Sequence, residues 1–178
     1  SNLGTTYFFL GDAKTALPYF LKGVKLNKRY TEGLFNCGMA YDKLEQKDSA
    51  IWYFRESIRN DSTYVSAYEQ LARIKFKQDR DTAAAFDLMH LAARKKPDSD
   101  VPWNDIALFY LDLRDTAASA AAMEMAAKVN PSNVTRLYNL AIYYQRHGNG
   151  EKYSYYDSLY MEQGKKQKAK QEEQGNDQ

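Results

Sequence analysis

Few side chains in this sequence could do chemistry. The single cysteine, Cys37, lies in the stretch LFNCGMAYDKL beside Gly38, with Asn36 and Asp42 close by. A thiolate nucleophile needs an exposed, electropositive setting and a base within reach. The two histidines, His90 and His147, form no signature with it. Neither has an i,i+4 partner of metal-ligand type, and one cysteine excludes a cysteine-rich zinc site and an internal disulfide. The sequence contains no G-x-x-x-x-G-K-[ST], G-x-S-x-G or H-E-x-x-H. Its acids gather in turns and near the C terminus, as caps and solvation rather than as an acid/base pair. Cys37 therefore reads as a small packing residue, and the chain as no enzyme, with no cofactor and no metal. Asn-x-Ser/Thr sequons at Asn60 and Asn133 matter only in a eukaryotic secretory setting.

The bulk properties point the same way. Hydrophobic residues make up 44% of the 178 positions, enough for most of the chain to fold. A formal charge of +2, from 25 basic and 23 acidic residues, is too close to neutral to capture nucleic acid electrostatically. Neither a membrane-length apolar run nor a charged-then-apolar leader occurs. The lone cysteine mildly favours a reducing compartment such as the cytoplasm, yet suits a bacterial periplasm as well.

Positions along the chain recur. The series Gly38, Tyr41, Ala50, Phe54, Ser57 and Ser62 is echoed upstream by Gly4, Tyr7, Ala16, Phe20, Gly23 and Lys28. Downstream it is echoed by Ala72, Lys75, Ala85, Met89, Ala92 and Pro97, and by Ala107, Tyr110, Ser119, Met123, Ala126 and Pro131. A last unit opens with Ala141 and Tyr144 and then drifts. Equivalent positions lie 34, 34, 35 and 34 residues apart, the third unit carrying one extra residue in its turn, KQDRD. The stretches NKRY, NDSTY, KPDSD and NPSNV each precede a helical pattern, with the residues expected at a helix stop and a following cap. Each unit holds two amphipathic helices. Leu34, Cys37, Gly38, Tyr41 and Leu44 share one face of the first helix of unit two. Asp48 is the expected N-cap of its second helix, which stripes Ala50, Phe54 and Ile58. Small residues at Gly38, Ala72, Ala107 and Ala141 allow close helix approach, with a large residue filling the neighbouring hole. One such hairpin cannot bury its own apolar face; stacked hairpins can.

This pattern resembles the tetratricopeptide repeat, a 34-residue helix–turn–helix. The residues carrying the likeness include Leu34, Gly38, Tyr41, Ala50 and Phe54, together with Trp103, Ile106, Ala107, Tyr110, Ala126 and Pro131. It spans about residues 1–163 and implies an all-α fold: an α-solenoid of about five repeat units. Departures are Lys75 at the tyrosine position, and Tyr153 and Asp157 where alanine and phenylalanine are usual. The last two suit a C-terminal capping helix, EKYSYYDSLYMEQ, with Tyr153, Tyr156 and Tyr160 on its inner side. The first unit lacks the start of its first helix, as expected of a segment of something longer, such as a membrane-anchored enzyme or a secretion or assembly component. Residues 164–178 hold almost nothing apolar and are expected to be a flexible, disordered charged tail.

The resemblance also implies a function. First helices in this family line a concave groove that binds an extended peptide or a partner helix, so the chain is expected to be a protein–protein interaction module. The groove-facing sets would be Phe8 with Ser1 and Thr5; Phe35, Met39 and Asp42; and Glu69, Arg73 and Phe76. The fourth and fifth units would add Asn104, Leu108 and Leu111, then Tyr138, Ile142 and Gln145. Apolar anchors with a few oriented polar groups suit peptide recognition, although packing between neighbouring first helices would use the same residues. The family's two-carboxylate clamp for chaperone tails is not supported. Asn36 fits one clamp position, but Ser1, Thr5, Ser66 and Gln70 stand where other residues are needed.

Overall fold

A computed structural model describes residues 2–175, with side chains described for residues 3–169. Among these residues the regular elements are helices. In order they are α1 (Asn2–Phe9), α2 (Ala13–Leu26), α3 (Thr31–Lys43), α4 (Lys47–Asn60), α5 (Val65–Arg73), α6 (Thr82–Lys95), α7 (Val101–Asp112), α8 (Thr116–Val129), α9 (Val134–Arg146) and α10 (Gly150–Gly175). Odd-numbered helices are the first of each repeat and even-numbered helices the second. None of them is long and apolar enough to cross a membrane. The chain forms two compact units, Ser1–Lys96 and Pro97–Gln178.

In the first unit each hairpin packs on itself, and α2 and α4 also pack on the first helix of the next repeat. Ala16, Phe20, Cys37 and Ala40 form one core cluster, and Ala50, Phe54, Ala67, Leu71 and Ile74 another. The glycine position sets how close the two helices of a hairpin come. A Cβ built on Gly38 would stand 2.5 Å from the Phe54 ring, and one on Gly4 would stand 2.9 Å from the Phe20 ring. Where alanine replaces glycine, at Ala72 and Ala107, the phenylalanine position holds Met89 and Met123. An unbranched, flexible methionine tolerates the extra methyl that a rigid ring does not.

Each first helix stops in the same way. The residue after its last turn takes a positive φ: Gly11 (87°), Glu45 (60°), Arg80 (59°), Arg114 (62°) and Gly148 (69°). The next residue then donates its N–H back to the signature tyrosine carbonyl. These bonds are Asp12 to Tyr7 (2.9 Å), Gln46 to Tyr41 (2.9 Å), Asp115 to Tyr110 (2.9 Å) and Asn149 to Tyr144 (3.0 Å). Such left-handed closures satisfy carbonyls that the helix end leaves open. The donating residue is also the N-cap of the following helix. Asp12, Asp81, Asp115 and Asn149 accept from the backbone N–H three residues on, at 2.9–3.1 Å. In the second repeat the cap is Gln46, without a side-chain cap bond, and not Asp48, which lies inside the first turn. The common stop fixes the cap eight residues after Gly38, and Asp48 falls two residues too late.

The extra residue of the third repeat is absorbed inside the helix, not in the turn. Ile74–Gln78 forms a π-helical turn that continues α5. Its closing bond, from Asp81 N–H to the Lys75 carbonyl (2.9 Å), spans six residues where the others span five. A single π turn is the usual way for a helix to hold one inserted residue. The turn that follows is thereby left unchanged.

In the second unit α7 packs on α8, α8 on α9 and α9 on α10. Its core comprises Ala120, Ala127, Leu137, Leu140, Tyr144 and Tyr156, with Tyr153 and Tyr160 packed against it. The tyrosines of α10 thus close the core, as a capping helix should. Glu124 of α8 accepts hydrogen bonds from Tyr144 (2.8 Å), Lys152 (2.8 Å) and Tyr156 (3.2 Å), tying three helices together. The expected disordered tail differs: α10 runs on to Gly175, with Lys165–Ala169 exposed. Lys, Gln, Ala and Glu are strong helix formers, and Glu162 pairs with Lys166 one turn on (2.7 Å), so the helix needs no apolar face to continue. Residues 176–178 of that tail lie outside the described residues.

Candidate binding faces

Cys37 is fully buried, and burial pushes its thiol up to about 12. It is a protonated packing group at physiological pH. The His147 ring stacks on Tyr143 (4.1 Å), with Nδ1 2.7 Å from the Tyr143 carbonyl oxygen. Of the sequon residues, Asn60 donates to Thr31 Oγ1 (3.4 Å) and Asn133 caps α9 by accepting from Arg136 N–H (3.0 Å).

In the first unit the apolar candidates are tied into packing. Phe8 lies edge-on to Phe20 (6.2 Å), and Phe35 sits 5.7 Å from Phe54 and 5.4 Å from Tyr64. Met39 is half-buried against the Phe54 cluster, and Phe76 is buried. The polar candidates form one group. Arg73 Nη2 bonds Asp42 Oδ2 at 3.0 Å, joining α5 to α3. Glu69 stands one turn before Arg73, and burial raises its carboxyl pKa against the opposing pull of Arg73. Oε1 of the next residue, Gln70, is buried and accepts no hydrogen bond among the described residues. Ser1 lies outside the described residues.

The second unit leaves its candidates more open. Leu108 is 57% exposed and Tyr138 48% exposed, with the Tyr138 ring 5.5 Å from Tyr160. Ile142 is half-buried and Gln145 exposed. A cavity of about 290 Å³ opens on α7 and α9, with Asn104 and Leu108 in its wall alongside Asn133, Thr135, Arg136 and Asn139. Tyr138, Ile142 and Gln145 are not part of that wall. Arg136 is almost wholly buried and organises the site. It pairs with Asp100, donates to the carbonyls of Ala126 (2.8 Å) and Asn130 (2.9 Å), and donates from Nε to Asn104 Oδ1 (3.2 Å). Burial works against ionising Asp100, but the bond and charge of Arg136 outweigh it and hold the carboxyl below its usual range. Asn104 is therefore locked in orientation through its oxygen.

Sequence reasoning missed Arg136 and Asn139. Nothing in the repeat pattern marks Arg136, whose role depends on Asp100 thirty-six residues away. Asn139 did leave a signal: Asn36, Gln70, Asp105 and Asn139 place an amide or carboxylate at the same point of four successive first helices.

Successive helical hairpins with a shared stop and a shared small–large contact define an α-helical repeat protein. The family model described as tetratricopeptide repeat matches its first two repeats, residues 1–30 and 31–64. Solved structures share the fold over nearly the whole chain. MamA is 20% identical with a TM-score of 0.65, over 93% of this chain and 96% of that one. TTC0263 from Thermus thermophilus, described as a thermophilic TPR protein, is 20% identical with a TM-score of 0.57, over 91% and 88%. YrrB, described as a TPR protein with an unusual peptide-binding site, is 14% identical with a TM-score of 0.54, over 91% and 83%. No curated protein matches the chain.

Proposed function

We propose that the protein is a non-catalytic interaction module that holds an extended segment of a partner protein on its first-helix faces. The observation that carries this reading is the α7–α9 cavity, where an exposed leucine stands beside Asn104, held by Arg136, and the exposed carboxamide of Asn139. A carboxamide offers a donor and an acceptor in the same plane, the complement of a peptide unit. An apolar rim beside it can take one side chain of that peptide, and a few such anchors carry most of an interface's affinity. Because Arg136 fixes Asn104, the site spends little ordering entropy on binding. The peptide-binding site described for YrrB, which shares the fold, supports the same reading by analogy. In the first unit, the Asp42–Arg73–Glu69 group is the polar group available to a bound backbone.

The test is selection from a random-peptide library with wild type and with Leu108→Asp plus Asn139→Ala, side by side. Peptides enriched by wild type are expected to lose at least about tenfold in affinity for the variant, whose circular dichroism and melting stay unchanged. Equal binding by the variant would remove the site from this face.

A further inference from the structure

The second helices of the first unit carry a feature that the first-helix reading leaves unused. Counted from the caps at Asp12, Gln46 and Asp81, the thirteenth residue is a cation each time: Lys25, Arg59 and Arg94. One cation in a last turn complements the helix dipole. That accounts for a ladder of three, but not for the excess around it. Residues 1–96 hold 16 Lys and Arg against 11 Asp and Glu, a formal +5, whereas residues 97–178 hold 9 against 12, a formal −3.

The excess meets an apolar floor between α2 and α4. A cavity of about 410 Å³ lies there, within the roughly 300–1,000 Å³ of ordinary ligand pockets. Leu21, Val24, Leu34 and Tyr53 line it. Trp52, 55% exposed, stands at its edge with its ring perpendicular to Tyr53 at 4.7 Å. Its cations are Lys25, Lys28 and Arg59, and its one acid, Glu56, is already paired with Arg59. Lys25 and Lys28 are exposed and make no ion pair among the described residues. Across α4 a second cavity of about 420 Å³ repeats the arrangement, with Arg55 and Arg94 beside Leu88 and Leu91.

We propose that this second-helix face docks an acidic peptide segment, with one bulky apolar side chain seated between α2 and α4 and flanking Asp or Glu residues meeting Lys25 and Lys28. Uncompensated lysines beside a half-covered tryptophan are the complement of such a segment: the ring and aliphatic floor supply affinity, the lysines register and capture rate. Nucleic acid fits less well. Its recognition uses a series of stacking rings and an unbroken cationic track, but of the aromatic side chains lining these two cavities only Trp52 is exposed, and Glu56 and Asp87 interrupt the cations. This surface is independent of the α7–α9 cavity, so either site can fail without the other.

The experiment is fluorescence anisotropy on the full chain with a short labelled Asp/Glu peptide carrying one central Phe. Wild type is expected to bind it, more weakly as salt rises. Trp52→Ala and the pair Lys25→Glu with Lys28→Glu should each cost at least about tenfold, while Leu108→Asp leaves binding unchanged. All four altered side chains are exposed, so melting should not move. The proposal is overturned if wild type does not bind, if the variants bind as well as wild type, or if a peptide without the Phe binds equally. It is also overturned if a labelled oligothymidylate of equal charge binds as tightly and is lost with the same variants, which would make the face a nucleic-acid surface.

Discussion

Gly38 and Phe54 occupy one space: a Cβ on Gly38 would lie 2.5 Å from a ring carbon of Phe54, itself fully buried. Backbone preference and packing therefore oppose each other. Alanine is favoured over glycine in a helix by about 1 kcal/mol, but overfilling a tight core costs about 1–3 kcal/mol. The ring is hemmed in and cannot give. Gly38→Ala is expected to destabilise the first unit on balance, read as a lower urea midpoint. Adding Phe54→Met, the pairing the third and fourth repeats use, should recover most of the loss. Strictly additive effects in that double-mutant cycle would refute the contact as the cause.

Glu124 links stability to pH. Burial opposes its ionisation, but bonds from Lys152 and Tyr144 outweigh that and hold the carboxyl below its usual range. A carboxylate depressed in the folded state contributes fully above its unfolded pKa, about 4.3, and the contribution drains away as pH falls through the lower folded value. Glu124→Gln should cost about 1–3 kcal/mol at neutral pH. The variant and wild type should converge once pH has fallen below that depressed folded value. Parallel stability curves down to low pH would contradict this.

Breaking the Asp100–Arg136 pair should be costlier. The guanidinium is almost wholly buried, so Asp100→Asn strands a charge, at about 3–5 kcal/mol. Urea unfolding of the second unit would report it. The same variant frees Asn104 to turn and should weaken peptides selected on the α7–α9 face.

The turn after α3 is under-optimised. Glu45 takes φ 60° where the first and last repeats use glycine, and Gln46 leaves the cap bond unmade. Glu45→Gly relieves a left-handed conformation costing about 1 kcal/mol, and Gln46→Asp adds a cap worth about 0.5–2 kcal/mol. Each should raise the thermal midpoint. A fall in either would mean that the side chain removed has a role elsewhere.

Deleting Gln78, exposed at the end of the π turn, should restore the 34-residue spacing of the third repeat without unfolding it. Amide exchange or a structure of the deletion should show α-helical bonding through residues 74–77. A collapse of the α5–α6 hairpin instead would mean that the π turn is required, and not merely tolerated.

The repeat was legible because it is written in local spacing. Glycine or alanine, then tyrosine three residues later, then alanine and a large residue, recurs often enough to fix hairpin, period and core face. The stop signal was legible only in outline: Asp48 looked like a cap by type, but the tyrosine-directed closure puts the cap at Gln46. The inserted residue was visible as a count. Whether it would swell the turn or the helix depended on which backbone bonds could still close.

The candidate faces were legible by position and not by availability. Period alone places Phe35, Met39 and Phe76 beside the core stripe with the same warrant as Leu108 and Tyr138. Contacts made by residues further along the chain then bury Phe76, cover Phe35 and Met39 in part, and leave Leu108 and Tyr138 open. The amino-acid sequence by itself determined the helices, their pairing into repeats and the side of each helix that is apolar, because these follow from the 3.6-residue period and from residue size. Tertiary structure alone decided which polar groups meet: Arg73 with Asp42, Arg136 with Asp100, Lys152 with Glu124. Each of those pairs joins residues about thirty positions apart, at distances set by how helices stack and not by any spacing readable along the chain.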